Sequence, residues 1–274
     1  HLLDDNMPAI SVPQVRAFLG DKERNLKTIE KLASKRGEGL LLFPEIFLTG
    51  YMVRDDMRRL AEPLDGPSAK RVAKLAKKNG KCIVFGMAEK DQERTGVIYN
   101  SAVVASADGE LGVYRKMYLA NFGPFEERIY FAEGNLTPIF ETPVGKMGLT
   151  ICFDLFFPEL SRLYALKGAD VIACISASPS ATRPFFEKIT VARAIENTVF
   201  LAYSNHVGTQ RDFVFWGGNC VIGPRGEYKA RAEPYAEDSA VEAKIAPHEI
   251  ELARPHRPTL KESRRDVFER LAEL

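Results

Sequence analysis

The sequence has almost no net charge, few cysteines and no long apolar stretch, and each shortage removes a class of function. Its 274 residues hold 38 basic and 37 acidic side chains, a formal net charge of +1. A chain so balanced has no electrostatic footprint for a polyanion, so neither nucleic acid nor an anionic membrane is expected as a partner. No apolar run approaches the roughly 20 residues a membrane-spanning helix needs, and no signal-peptide core is visible. Cys82, Cys152, Cys174 and Cys220 show neither metal-ligand spacing nor a disulfide framework. Cys82 and Cys174 lie inside apolar runs and read as small buried hydrophobes. Free thiols suit a reducing compartment, so a cytoplasmic location is expected.

What remains is an ordinary globular composition, 45% hydrophobic and 27% charged, long enough to bury a sizeable core. His1 to Asn6, ahead of Met7, read as a disordered or artificially added start and stay outside the fold. Ile10 to Val15 reads as a first strand, with Pro13 suggesting an edge or strand end. Asp21 caps an expected helix with Leu26, Ile29, Leu32 and Ala33 inward, stopped by Gly37. Gly39 to Phe43 is a buried strand. A helix opening at Gly66-Pro67-Ser68 turns Val72, Leu75 and Ala76 inward and Lys70, Lys74, Lys77 and Lys78 to solvent, ending at Gly80. Cys82 to Ala88 is the next strand.

Two hairpins follow, one around Asp108-Gly109 and one around Pro143-Val144-Gly145. Alternation then resumes with a helix from Leu160 to Lys167, a strand from Val171 to Ser176, a helix from Phe185 to Asn197 and a strand from Val199 to Ser204. Two more strands flank Gly223 to Gly226. Alternation at both ends with hairpins between predicts a layered α/β fold with a mixed sheet or paired sheets. No linker or composition shift divides the chain. Residues 7–274 therefore read as one domain, with 247–274 a polar, proline-interrupted tail placed at a partner subunit.

Cys152 is the most informative residue. Met147 to Ile151 reads as a buried strand, and a helix pattern begins at Leu160, so the thiol sits at a strand-to-helix turn. Such a turn exposes the sulfur and aims the next backbone N–H groups at a developing oxyanion. Cleaving an amide-type bond also needs a base, an acid for the leaving amine and positive character at the oxyanion. Glu45 closes the apolar run ending Phe43-Pro44 and reads equally as a functional acid or a helix-start residue. Lys116 and Arg115 end a strand side by side, and alternation turns them to opposite faces. Glu126 and Glu127 lie among aromatics, where one is positioned or both are solvated with an ion pair to Arg128. Glu159 suits a helix start. His206, the one histidine at a core-to-loop position, offers a competing Cys–His pair.

Together these segments resemble the nitrilase superfamily, the carbon–nitrogen hydrolases, over nearly the whole chain. Phe43-Pro44-Glu45 with Thr49-Gly50-Tyr51 matches that family's glutamate motif, Tyr114-Arg115-Lys116 its lysine motif, and Gly148 to Asp154 with Phe157-Pro158-Glu159 its cysteine motif. Ala192 to Asn197 and Arg264-Arg265-Asp266 match its downstream helix and C-terminal tail. The resemblance implies an αββα sandwich that dimerises or forms a higher homo-oligomer. It implies Cys152 as nucleophile, Glu45 as general base and acid, Lys116 with the Phe153 N–H at the oxyanion, and Glu127 as a supporting glutamate. No metal or organic cofactor is implied. The expected function is an amidase acting on a small-molecule amide through a thioester, with N-carbamoyl amines and, more distantly, nitriles as alternatives; a catalytically silent binding or assembly homologue is the alternative of another class.

The chain departs from the family's patterns at Tyr118, where many relatives have histidine, and at Phe153-Asp154, where true nitrilases have Trp-Glu. Omega-amidase-like members hold a substrate carboxylate with arginine where this chain has Phe156, so ω-dicarboxylic monoamides are not expected. Tyr51, Tyr118, Phe153 and Phe156 are the expected pocket residues.

Overall fold

In a computed structural model that describes residues 7–35 and 39–274, two mixed sheets pack face to face between two layers of helices. The strands in chain order are β1 (Ala9–Gln14), β2 (Gly39–Leu42), β3 (Glu62–Pro63), β4 (Lys81–Lys90), β5 (Ile98–Ala105), β6 (Leu111–Arg115), β7 (Ile139–Thr142), β8 (Gly145–Ile151), β9 (Val171–Ser176), β10 (Phe200–Asn205), β11 (Val207–Gln210), β12 (Phe213–Trp216), β13 (Cys220–Ile222), β14 (Tyr228–Arg231) and β15 (Ser239–Lys244). The first sheet runs β15-β1-β2-β4-β5-β6, with β3 also on β4; the second runs β14-β13-β10-β9-β8-β7. Each has a parallel centre, β1/β2/β4 and β8/β9/β10, with antiparallel strands at its flanks.

Strand alternation builds the layers. From the first sheet, Ile10, Val12, Leu40, Leu42, Val84 and Ala102 join the core shared with the second sheet. Their neighbours Leu41, Phe43, Ile83, Phe85 and Val103 turn the other way, onto α1 (Lys22–Ala33) and, past the short α2 (Met57–Leu60), onto α3 (Pro67–Asn79). Beyond the one-turn α4 (Glu127–Tyr130), α5 (Pro158–Leu166) and α6 (Arg183–Asn197) cover the outer face of the second sheet. The Ser204 hydroxyl bonds the Leu42 carbonyl at 3.1 Å, a polar tie between the sheets.

The helix starts and stops follow local chemistry. The Asp21 carboxylate accepts from the Arg24 N–H, the expected N-cap, while Gly37 lies outside the described residues, as do His1 to Asn6. Gly80 ends α3 in the left-handed conformation, with φ 61°. The lysines of α3 are exposed, as their spacing predicts.

Three parts of the fold differ from expectation, involving six elements. β1 is internal rather than an edge; Pro13 is accommodated because parallel pairing with β2 extends only to Ser11. β15 and the β11–β12 hairpin were not read from the sequence. The segment from Pro247, expected as a polar tail, contains α7 (Pro247–His256) and α8 (Arg265–Ala272).

Candidate active site

The parallel centres of both sheets end on the same side of the sandwich, and the chemistry collects there. Glu45 follows β2 in a turn that crosses close over β4. Gly86 permits the crossing, because a Cβ there would lie 2.1 Å from the Ile46 nitrogen and 2.6 Å from the Glu45 carbonyl carbon. The Gly86 N–H donates to the Pro44 carbonyl at 3.1 Å, and the Leu48 N–H to that of Gly86 at 3.0 Å. Lys116 follows β6, its backbone held between the Asn100 carbonyl and the Gly134 N–H, each at 2.8 Å.

Glu45 and Lys116 are completely buried, and Glu127 is 2% exposed. The Lys116 ammonium donates to Glu45 Oε1 and to Glu127 Oε1, both at 2.8 Å. Glu45 Oε1 also accepts from Asn100 Nδ2 at 2.7 Å, and Oε2 accepts from the Ala177 N–H, just beyond β9, at 2.7 Å. Glu127 accepts from the Tyr51 hydroxyl at 2.7 Å and the Ala120 N–H at 2.8 Å. Two carboxylates therefore share one ammonium, with their remaining oxygen positions fixed by neutral donors.

Cys152 begins the turn immediately after β8, with φ 48°, a backbone conformation that non-glycine residues seldom adopt. Asp154 clamps this turn, accepting from the Tyr114 hydroxyl at 2.7 Å and from the N–H groups of Tyr118 at 2.8 Å and Ile151 at 2.9 Å. Tyr114 belongs to the first sheet, so the clamp spans the sandwich. Burial raises the Asp154 carboxyl to about 6, against the pull of Lys116 and these donors.

Burial also raises Cys152 well above the ordinary thiol range; the Glu45 charge adds to this and Lys116 opposes it. Burial raises Glu45 above the usual carboxylate range, opposed by Lys116 and reinforced by the negative charge of Glu127. Burial disfavours the Lys116 charge, but Glu127 and Glu45 outweigh it and hold the ammonium well above its ordinary range. Burial thus favours the neutral thiol, while Glu45 is raised in basicity and Lys116 is held as the ammonium. Such a set can move a proton off sulfur as it attacks and stabilise a developing oxyanion.

The remaining expected residues divide. Phe153 and Phe156 line a cavity of about 220 Å³ with Cys152. Tyr51 lies on the other side of Phe125, lining a cavity of about 260 Å³ with Glu127. Tyr118 stacks on Phe157, with centroids 3.6 Å apart, and lines neither cavity. Arg115 turns away from the site to Glu89, at 2.6 Å. Glu126 and Glu159 are exposed, and Arg128 pairs with Glu133 rather than with either adjacent glutamate.

His206 is buried but is not placed as a base for Cys152. Its Nε2 meets the Glu45 carbonyl at 2.6 Å and its Nδ1 meets Gln210 Nε2 at 3.2 Å, so both ring nitrogens are engaged. Asn100 and the Ala177 N–H were not singled out from the sequence. Asn100 had a signal, a polar side chain within the apolar strand Ile98–Ala105, whereas a backbone donor has none.

Fold and site together define an α/β sandwich with a buried glutamate–lysine array beside a cysteine at the strand ends. The family model for carbon–nitrogen hydrolases matches residues 9–255, and the chain belongs to that family, within the nitrilase superfamily. It is 36% identical to a probable nitrilase of Schizosaccharomyces pombe, over 80% of this chain and 81% of that protein. It is 31% identical to the 2-oxoglutaramate amidase of Bacillus subtilis, over 94% and 98%. Among solved structures, a glutamate-to-glutamine variant of the amidase from Nesterenkonia sp. AN1 superposes with a TM-score of 0.82 at 26% identity, covering 98% of this chain and 99% of that one.

Proposed function

We propose that this carbon–nitrogen hydrolase cleaves a small linear amide through a thioester on Cys152. The observation that carries this reading is the buried Glu45–Lys116–Glu127 array, with both ion pairs at 2.8 Å, beside a neutral thiol. Cys152 Sγ attacks the amide carbon as its proton passes to Glu45, and the carbonyl electron pair moves onto oxygen. Lys116 and the Phe153 N–H face that oxyanion. The tetrahedral adduct collapses, the C–N bond breaks, and Glu45 returns the proton to the departing amine. Water, deprotonated by Glu45, then attacks the thioester and releases the acid and the thiol. Glu127 keeps Lys116 charged and in place. The Nesterenkonia variant supports the sulfur chemistry, since it carries the acetamide moiety of fluoroacetamide on its active-site cysteine.

Ammonia release across aliphatic and aromatic amides, ω-amides, N-carbamoyl amines and nitriles is the test. Cys152→Ala is expected to lower kcat/KM by about 10⁴-fold or more. Glu45→Gln is expected to lower kcat/KM comparably and to leave Cys152 without an added acyl mass when an amide is supplied, because acylation itself passes the thiol proton through Glu45 to the departing amine. Undiminished release by Cys152→Ala would refute the mechanism.

A further inference from the structure

The cavity beside Cys152 has a wall of unusual uniformity. Phe122, Phe125, Phe153, Phe156, Phe185 and Phe186 supply most of it, in contacts such as Phe122–Phe153 at 4.8 Å and Phe156–Phe186 at 5.3 Å between ring centroids. Among the described residues, no charged side chain lines it. Its two hydroxyls are already committed to the wall. Ser178 accepts from Trp216 Nε1 at 3.2 Å and is bonded to Thr182 Oγ1, which donates to the Pro179 carbonyl at 2.8 Å. A ligand entering here finds apolar contact and no side-chain partner for a charged group. Two of the rings are poorly covered, Phe122 at 48% and Phe185 at 56% exposure, which leaves an apolar rim at the mouth.

The position of Glu45 decides which end of an amide enters. The departing nitrogen must receive its proton from Glu45, which lies outside the cavity wall. The acyl substituent then extends from the attacked carbon on the other side, past Phe153 and Phe156. We propose, building on the amide-hydrolysis reading, that this cavity is an acyl subsite selecting amides of uncharged apolar acids and rejecting amides with a second carboxylate. A cavity of about 150 Å³ lined by apolar side chains accommodates benzene. The roughly 220 Å³ here suits a phenylacetyl group or a straight chain of about six carbons. The preference separates this chain from relatives named for 2-oxoglutaramate, whose acyl part carries a carboxylate.

The test compares kcat/KM for acetamide, butanamide, hexanamide and phenylacetamide with adipamate and N-hexylacetamide. The expected result is a rise of about fourfold per added methylene up to hexanamide. Adipamate should fall about 100-fold or more below hexanamide, because its carboxylate would be buried without a partner. In Phe185→Ser, the ratio of hexanamide to acetamide should drop about tenfold. A flat series, adipamate equal to hexanamide, or N-hexylacetamide exceeding hexanamide would overturn the acyl-subsite assignment while leaving amide hydrolysis intact. Calorimetric binding to Cys152→Ala separates the two levels. If no amide is turned over, hexanamide binding about 100-fold tighter than adipamate upholds the subsite while the reaction class falls, and equal binding removes the subsite as well.

Discussion

At the scale of single residues, His206 is fully buried against the turn that carries Glu45. Its Nε2 meets the Glu45 carbonyl at 2.6 Å, in the turn where Ile46 adopts φ 49°, so it braces the backbone that presents Glu45. Burial lowers its pKa to about 4, against the opposing effect of that hydrogen bond. Below an unfolded-state value of about 6.5, the unfolded chain binds a proton that the folded chain refuses, so this contribution to stability is lost as pH falls from 6.5 toward 4. Complete loss corresponds to roughly 3 kcal/mol. Asp154 acts in the opposite sense. Its pKa is raised to about 6, so the folded state takes up a proton first as pH falls from 6 toward 3.8, and stability is gained. The whole-protein profile mixes the two, but a difference between variants does not. His206→Gln is expected to be less stable than wild type at pH 7, and the gap should narrow by roughly 3 kcal/mol by pH 4, read from urea midpoints. A gap independent of pH would show that His206 is not held neutral.

At the scale of elements, the regular alternation was legible and the long-range pairings were not. The turn after β2, the strand end after β6 and the elbow after β8 each announced themselves by a chemical residue at the end of an apolar strand. Glu127 over Glu126 came from resemblance; in the fold Glu127 is enclosed while Glu126 faces solvent. β15 escaped because Ser-Ala-Val-Glu-Ala-Lys has only two inward residues, Val241 and Ala243, and its partner β1 lies more than two hundred residues away. The β11–β12 turn uses Arg211 at φ 50° where a glycine or asparagine would have signalled it. In α7 the internal Pro255 hid the period, and α8 presents Val267, Phe268 and Leu271 to solvent, so there was no buried stripe to find. Gly86 is the element-level feature most open to test. A Cβ there meets backbone rather than a movable side chain, so Gly86→Ala is expected to cost about 1–3 kcal/mol of stability. It should also lower kcat more than KM changes, because the displaced backbone carries Glu45. Wild-type kcat in a folded Gly86→Ala protein would show that the crossing does not position the carboxylate.

At the scale of the whole molecule, the site belongs to neither sheet alone. Glu45 and Lys116 extend from strands of the first sheet, and Glu127 follows in the connection between the two sheets. Cys152, the Ala177 N–H and His206 come from strand ends of the second. The chain passes between these groups through an exposed stretch at Asn135 and Leu136. β15 then returns from the far end of the sequence to pair with β1 along six residues. A division of the chain at that stretch would put the groups proposed to handle protons on one fragment and the proposed nucleophile on the other. Each fragment alone should be silent, and reassembly through β15 and the shared core should restore amide turnover. Turnover would then be a coincidence signal, expected only when both halves are present and correctly docked. Fused to two proteins whose encounter is to be detected, the fragments would convert that encounter into released ammonia.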